Sequence, residues 1–323
     1  MQNKVYKMKN NSISIALRVH GVKRKLGKPP KWVYPASVEV AYRKILYGFV
    51  EKMKEEFKKI VMPHLPQLVA QAGNLITKMD AWSGDLDAIL GNFQESIDNI
   101  FPNPQAMEIL TTMSQNVNKF NAEQWYKICK SVLGVDIYSA VPQLQDRMLA
   151  FVHDNVTLIK DVKAQVYKDV RLTISQGVRE GMRQETIAKN ILADTDLTRG
   201  VFAKVKTRAT VIARDQVGKL NGDMAFFRQT DAGINEYYWN SLEDERVVGT
   251  PGGRFPNPSI GHGNHYLMDG TLCKWSNPNI YSKDDGKTWI PRPENMKGAI
   301  PGSQYSCRCY ASPKFGKEFQ NVR

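Results

Sequence analysis

Two cysteines one residue apart, Cys307 and Cys309, and two histidines three apart, His262 and His265, are the side chains here best suited to chemistry. Thiolate sulfur and imidazole nitrogen are the usual protein ligands of zinc. Residues two apart on a strand point to one face, so both thiols would converge while Arg308 turns away. With His265, and with His262 or Cys273 as a further donor, they form a candidate zinc site. The Cys-x-x-Cys knuckles common in structural zinc sites are missing, however, and the ligand spacing is irregular. The same thiols could pack beneath an aromatic cluster of Trp239, Trp275 and Trp289. Both readings stand: no cofactor, or zinc held by His265, Cys307 and Cys309.

Carboxylates offer a second chemistry. Glu243, Asp244 and Glu245 stand together before Arg246, and paired acids can hold a metal or act as acid and base. Three acids in a turn are more often solvated. The string His262, Asn264, His265 superficially invites a nuclease or another phosphotransfer enzyme. A general base needs a positioned partner and a site for the electrophile, and nothing nearby supplies either. Arg214 and Asp215 are neighbours in a predicted helix, about 100° apart, so they cannot pair on one face. Asn221 lies about two turns beyond Arg214.

These residues need elements to position them, and the periodicities specify an α+β chain. Residues 1–35 form a basic arm and a Pro-rich linker. Alternation over Ile13–Val19 predicts a strand, and Gly27–Pro35 an extended segment from which Trp32 and Tyr34 can dock on a surface. Residues 36–183 form a helical body. Its predicted helices are Ala36 to about Val61, ended by Pro63 and Pro66, then Leu68–Met79, Leu86–Ile97, Pro104–Asn118 and Asn121 or Ala122 to Leu133.

No proline occurs between Pro142 and Pro251. Leu144, Met148, Val152, Asn155, Ile159, Val162, Val166, Val170, Ile174 and Val178 keep a near four-residue stride. That predicts one helix from Pro142 to Val178, about 55 Å long, stopping near Gly177 and Gly181. Residues 184–313 form a module that starts with helices Gln184–Ala193 and Val201 to about Thr230. Half of the prolines then fall between Gly249 and Pro313, which predicts short strands joined by fixed turns. Asn235–Ser241 is one strand. Tyr266–Met268 and Thr271–Trp275 flank Asp269-Gly270 as a hairpin, and Tyr305–Ala311 closes the sheet. Residues 314–323 are a tail.

Composition narrows the function classes. The 323 residues are 42% apolar and 24% charged, an ordinary globular balance. No apolar run approaches the ~20 residues that span a bilayer, and the N-terminus does not read as a signal peptide. The expectation is a cytoplasmic chain with reduced thiols and no membrane partner. Cys129 is expected to be a small buried hydrophobe. The net charge is +13, and nine basic residues precede the first acid, Glu39. These are Lys4, Lys7, Lys9, Arg18, Lys23, Arg24, Lys25, Lys28 and Lys31. Such an arm suits non-specific contact with double-stranded DNA through counterion release; a solubilising or capsid-docking tail is the alternative.

In order, the last third carries IARDQ (Ile212–Gln216), GINEYYW (Gly233–Trp239), LEDERVV (Leu242–Val248), HGNHYLMDG (His262–Gly270) and PGSQYSCRCYASP (Pro301–Pro313). This order resembles the Mu F-like phage head morphogenesis family, over about residues 180–313. The resemblance implies a non-enzymatic minor capsid protein of the virion, made in the host cytoplasm and built into the procapsid beside the portal. Its implied partners are the portal protein, a major capsid or scaffold protein, and entering DNA. It also implies structural roles for Arg214, Asp215, Asn221, Trp239, Asp244, Arg246, His265, Asp269, Gly270, Cys307, Arg308 and Cys309. Arg214 and Asp215 would bridge helix and sheet. Asp244 would accept backbone hydrogen bonds while Arg246 pairs across the module, and Arg308 would meet Asp244 or Asp269. The insertion Thr250–Gly261 separates Arg246 from His265 by more residues than compact members have. It leaves His265 as the family residue and sets His262 apart.

Overall fold

The apolar stride after Pro142 produces one continuous helix. In the computed structural model Gln143–Arg179 is α-helical over 37 residues. Leu144, Val152, Ile159, Val162, Val166, Val170, Ile174 and Val178 are buried along it. Asn155 interrupts the stripe yet is fully buried, because its Oδ1 accepts a 2.7 Å hydrogen bond from the Tyr42 hydroxyl. The helix stops where Gly181 takes a φ of +68° and Met182 N–H donates back to the Gly177 carbonyl at 2.8 Å.

The structure describes residues 30, 32–73, 81–133, 143–195 and 198–316. The basic side chains of the arm, from Lys4 to Lys31, and the strand expected over Ile13–Val19 lie outside these residues. Helix α1 (Ala36–Glu56) runs through a π turn (Phe57–Val61) and a 3-10 turn (Met62–His64) into α2 (Leu65–Gly73). Pro63 was expected to end the helix. It instead occupies the first positions of the 3-10 turn, where a missing N–H costs nothing. Next come α3 (Ala81–Asn99), α4 (Asn103–Leu133), α5 (Gln143–Arg179), α6 (Gln184–Leu192), a two-stranded ribbon of β1 (Asp194–Thr195) and β2 (Thr198–Arg199), and α7 (Val201–Asp231).

Helix α4 is single where two helices were expected. Asn118 and Asn121 do not break it, because their side chains bond to Arg228 and Asn221 rather than to their own backbone.

The fold is α+β. After α7 come β3 (Glu236–Asn240), the short α8 (His265–Met268), β4 (Leu272–Lys274), β5 (Ile280–Ser282), β6 (Ile290–Pro291) and β7 (Tyr310–Pro313). They make one antiparallel sheet in the order β6-β5-β4-β3-β7. The sheet departs from expectation twice. Tyr266–Met268 is helical, not a strand, since the Asn264 side chain caps it by accepting from Leu267 N–H at 3.0 Å. The closing strand begins only at Tyr310, so Cys307, Arg308 and Cys309 lie in the irregular stretch that links the turns of 301–306 to it.

By its contacts the chain divides into two compact units. One gathers the described residues of Met1–Val38, Met113–Phe151 and Arg214–Arg323; the other gathers those of Glu39–Thr112 and Val152–Ala213. The second is all-helical apart from the β1–β2 ribbon and is centred on Phe57, whose ring meets Phe93 and Phe202 edge-on. Among the described residues of the first are two apolar clusters. In one, Trp32 from the linker is fully buried with Trp125, Cys129, Ala225 and Tyr310, so it is a core residue, not a surface dock. Cys129 is the buried apolar residue expected, and burial raises its thiol pKa. The other cluster lies on the sheet face that carries the candidate site. Among the described residues no helix is long and apolar enough to cross a membrane.

Candidate functional site

The buried face of β3 presents Tyr237 and Trp239, and Cys273, Tyr281 and Ala311 join them from β4, β5 and β7. Trp275 stacks on Tyr237 at 3.9 Å between ring centroids, whereas Trp289 is half-buried beneath the Lys274 ammonium. Of the three tryptophans expected over the thiols, only Trp239 and Trp275 belong to the cluster. Gln229 of α7 fixes helix to sheet: its Nε2 donates to the Ala311 carbonyl at 2.9 Å and its Oε1 accepts from Trp275 Nε1 at 3.1 Å.

The Pro301–Cys309 loop lies directly on α7. Gly218 and Gly222, one turn apart, open a notch in the helix surface. A Cβ on Gly218 would sit 2.5 Å from the Cys307 carbonyl oxygen, and one on Gly222 would strike that of Pro301. Beside the notch, Asp215 Oδ1 accepts the Ser306 N–H at 3.1 Å while its other oxygen meets Lys219 Nζ at 2.7 Å. The expected bridge from helix to module is therefore made by Asp215. Arg214 contributes its carbonyl, which accepts from the Tyr34 hydroxyl at 3.3 Å.

This loop brings the two cysteines to His265. His265 Nδ1 stands 3.1 Å from Cys309 Sγ and 3.4 Å from Cys307 Sγ. All three residues are buried, and their ligand atoms lie within 4.8 Å of one another. Convergence comes from the turn instead of a strand. Ser306 takes a φ of +54°, and the N–H groups of Gly302 and Cys309 both point at Cys307 Sγ from 3.4 Å. The far nitrogen of the imidazole, Nε2, lies 3.0 Å from the His262 carbonyl. A carbonyl can only accept, so Nε2 carries a proton, and Nδ1 is the nitrogen that faces the two sulfurs. The His262 ring is exposed, paired with Ser259 Oγ and edge-on to Tyr305. The Cys273 thiol lies against Thr271. Neither joins the cluster.

Burial opposes ionising Cys307, but the Cys309 hydrogen bond and then His265 outweigh it and hold the thiol well below its ordinary value. Burial and the neighbouring Cys307 push Cys309 well above. For His265, burial favours the neutral ring; the charge and hydrogen bond of Cys307 overcome it, raising the imidazole. The cluster thus concentrates negative charge on one sulfur, inside an apolar shell.

The other predicted residues are struts. Arg308 Nη2 meets Asp244 Oδ2 at 2.8 Å, and Asp244 Oδ1 accepts the Arg246 N–H at 3.0 Å. Burial would raise the Asp244 carboxyl, but Arg308 and then Arg246 keep it below the ordinary value. Arg246 was expected to pair across the module. Its guanidinium instead reaches the same Asp244 at 3.5 Å, and the cross-module arginine is Arg308. Asp269 Oδ1 accepts the Ser241 N–H at 2.6 Å, and Gly270 N–H donates to the Trp239 carbonyl at 2.8 Å. Asn221 accepts from Asn121 Nδ2 at 2.9 Å. Asn121 in turn accepts from Arg228, whose pKa burial lowers to about 10.

Three features were not foreseen. Gly218 and Gly222 carry a signal in their four-residue spacing. Gln229 carries none, and neither does Arg292, buried under the sheet with its guanidinium on the Ala299 carbonyl and 5.5 Å from the Trp239 ring.

Chemically, the arrangement is closed. Both ring nitrogens of His265 are engaged, and only 5% of the residue is exposed. A cavity of about 490 Å³ lies in the helical unit instead, lined in part by Asp98, Lys160, Lys163 and Tyr167.

No protein-family profile and no solved structure matches the chain. An uncharacterized protein of Haemophilus influenzae (strain Rd KW20) is 25% identical over 197 residues, which is 60% of this chain. The match spans 36% of that protein's length.

Proposed function

We propose that this chain is a minor head protein of a phage-type particle, acting in procapsid assembly by where it sits and not by turnover. The order of motifs from IARDQ to Cys-Arg-Cys motivates the proposal. The observation that carries it is the use to which the motif residues are put. Asp215 holds the cysteine loop on α7, Arg308 ties that loop to Asp244, and His265 closes on the two sulfurs. Residues of the types that enzymes expose are here spent on fixing one loop to one helix. That pattern favours a rigid docking module over a reaction centre.

In this reading the module docks on the portal or on a capsid or scaffold protein, in the capsid interior. The basic arm then meets entering double-stranded DNA without sequence preference. Co-expression with the portal and capsid proteins of the same particle tests this. The chain should sediment with assembled procapsids, and plasmid DNA incubated with it and magnesium should be retarded but intact. A chain that never enters particles, and nicks plasmid unless His265→Ala is made, overturns the proposal in favour of a phosphotransfer enzyme.

A further inference from the structure

We propose that His265 Nδ1, Cys307 Sγ and Cys309 Sγ together bind one zinc ion. The inference rests on the geometry of the loop alone and is independent of any role in head assembly.

Distances come first. Tetrahedral zinc with ordinary Zn–N and Zn–S bonds places a nitrogen and a sulfur ligand roughly 3.6 Å apart and two sulfurs roughly 3.8 Å apart. The imidazole nitrogen here stands 3.1 and 3.4 Å from the sulfurs, and the three ligand atoms fit within 4.8 Å. An outward shift of a few tenths of an ångström opens the site for the ion.

Orientation comes second. A histidine bound to metal through one nitrogen usually donates its other N–H to a carbonyl or carboxylate, which fixes tautomer and ring angle. His265 has this arrangement before any ion arrives. Nε2 is anchored on the His262 carbonyl, and Nδ1 faces both sulfurs. The Gly302 and Cys309 N–H groups aimed at Cys307 Sγ are likewise the donors that support a metal-bound thiolate. Trp239 lies edge-on to His265, and its buried indole opposes the rise of the Cys309 thiol as a hydrogen-bond donor.

Charge comes third. Two thiolates brought together in an apolar shell carry negative charge that is costly unless a cation balances it. A divalent cation with two thiolates and a neutral imidazole sums to zero. Binding forms two Zn–S bonds and one Zn–N bond and releases the thiol protons to solvent. The ligand set, two sulfurs and one nitrogen, selects zinc over magnesium or calcium. Among the described residues the group supplies these three protein donors.

The test uses the full chain, purified from cells grown with added zinc. Elemental analysis should find about one zinc per chain. Exchange for cobalt(II) should give the intense thiolate-to-cobalt charge-transfer and tetrahedral d–d bands. Chelator should lower Tm, and added zinc should restore it. Cys309→Ser should lose most of the bound metal, whereas Cys129→Ser should keep it. If Cys309→Ser fails to fold, the cobalt spectrum of the unaltered chain decides. A metal-free chain with no thiolate–cobalt bands and a Tm indifferent to chelator overturns the proposal.

Discussion

Gly218→Ala separates two effects of opposite sign. In a helix interior, alanine is better than glycine by ~1 kcal/mol, so an exposed helical glycine replaced by alanine should stabilise the fold. Gly48 and Gly91 are such positions: exposed, within α1 and α3, and with no atom within 4 Å of an added Cβ. At Gly218 the added carbon would lie 2.5 Å from the Cys307 carbonyl oxygen, about an ångström inside ordinary contact. That oxygen is backbone, held by Asp215 on one side and by the sulfur turn on the other, so it cannot swing aside as a side chain would. Overpacking of this kind costs ~1–3 kcal/mol. Both gain the helix propensity, so Gly91→Ala should raise the denaturation midpoint and Gly218→Ala should fall below it by the cost of the clash, ~1–3 kcal/mol. Urea denaturation gives the difference, and amide hydrogen exchange over residues 301–309 shows whether the loss sits where the clash does. A Gly218→Ala chain as stable as Gly91→Ala, with unchanged exchange in that loop, would refute the packing of Cys307 on α7.

Two further outcomes follow from charge. Asp244 is depressed by Arg308, so its stabilisation is present above the unfolded carboxylate pKa and is lost as pH falls through the lower folded value. From about pH 5 downward the module should weaken, and Asp244→Asn should flatten that slope at a cost of up to ~1 kcal/mol near neutrality, the pair being partly exposed; identical acid melting curves for both chains would discount the pair. Removing residues 1–31 should flatten the salt dependence of retention on duplex DNA, since nine basic side chains go with them, and an unchanged slope would discard the arm as the DNA contact.

The helices were legible wherever an apolar stride ran long. Ten positions from Leu144 to Val178 leave little choice but one buried stripe, and even the intrusive Asn155 is explained once Tyr42 reaches it. Boundaries failed where tertiary contacts overrode local tendency. Pro63 looks like a stop signal, but a 3-10 turn absorbs it. Asn118 and Asn121 look like a break, yet Arg228, more than a hundred residues away in sequence, occupies their side chains. The division into two units was hidden for the same reason. Helices α4, α5 and α7 each begin in one unit and end in the other, which no local composition records.

The site shows how a correct grouping can come from an incorrect local picture. Alternation on a strand was the argument for convergence of Cys307 and Cys309, but the residues are not in a strand. What aligns them is a turn with Ser306 in the left-handed region, braced by Asp215 and seated in the Gly218–Gly222 notch. The loop aims the Cys309 N–H at Cys307 Sγ and brings both sulfurs to the α8 imidazole. A cysteine pair in a regular strand can pack; a cysteine pair in a turn that aims backbone donors at its own sulfur is arranged for a thiolate. That difference lies in backbone conformation, and it gives the same three residues a physical reason to hold a cation.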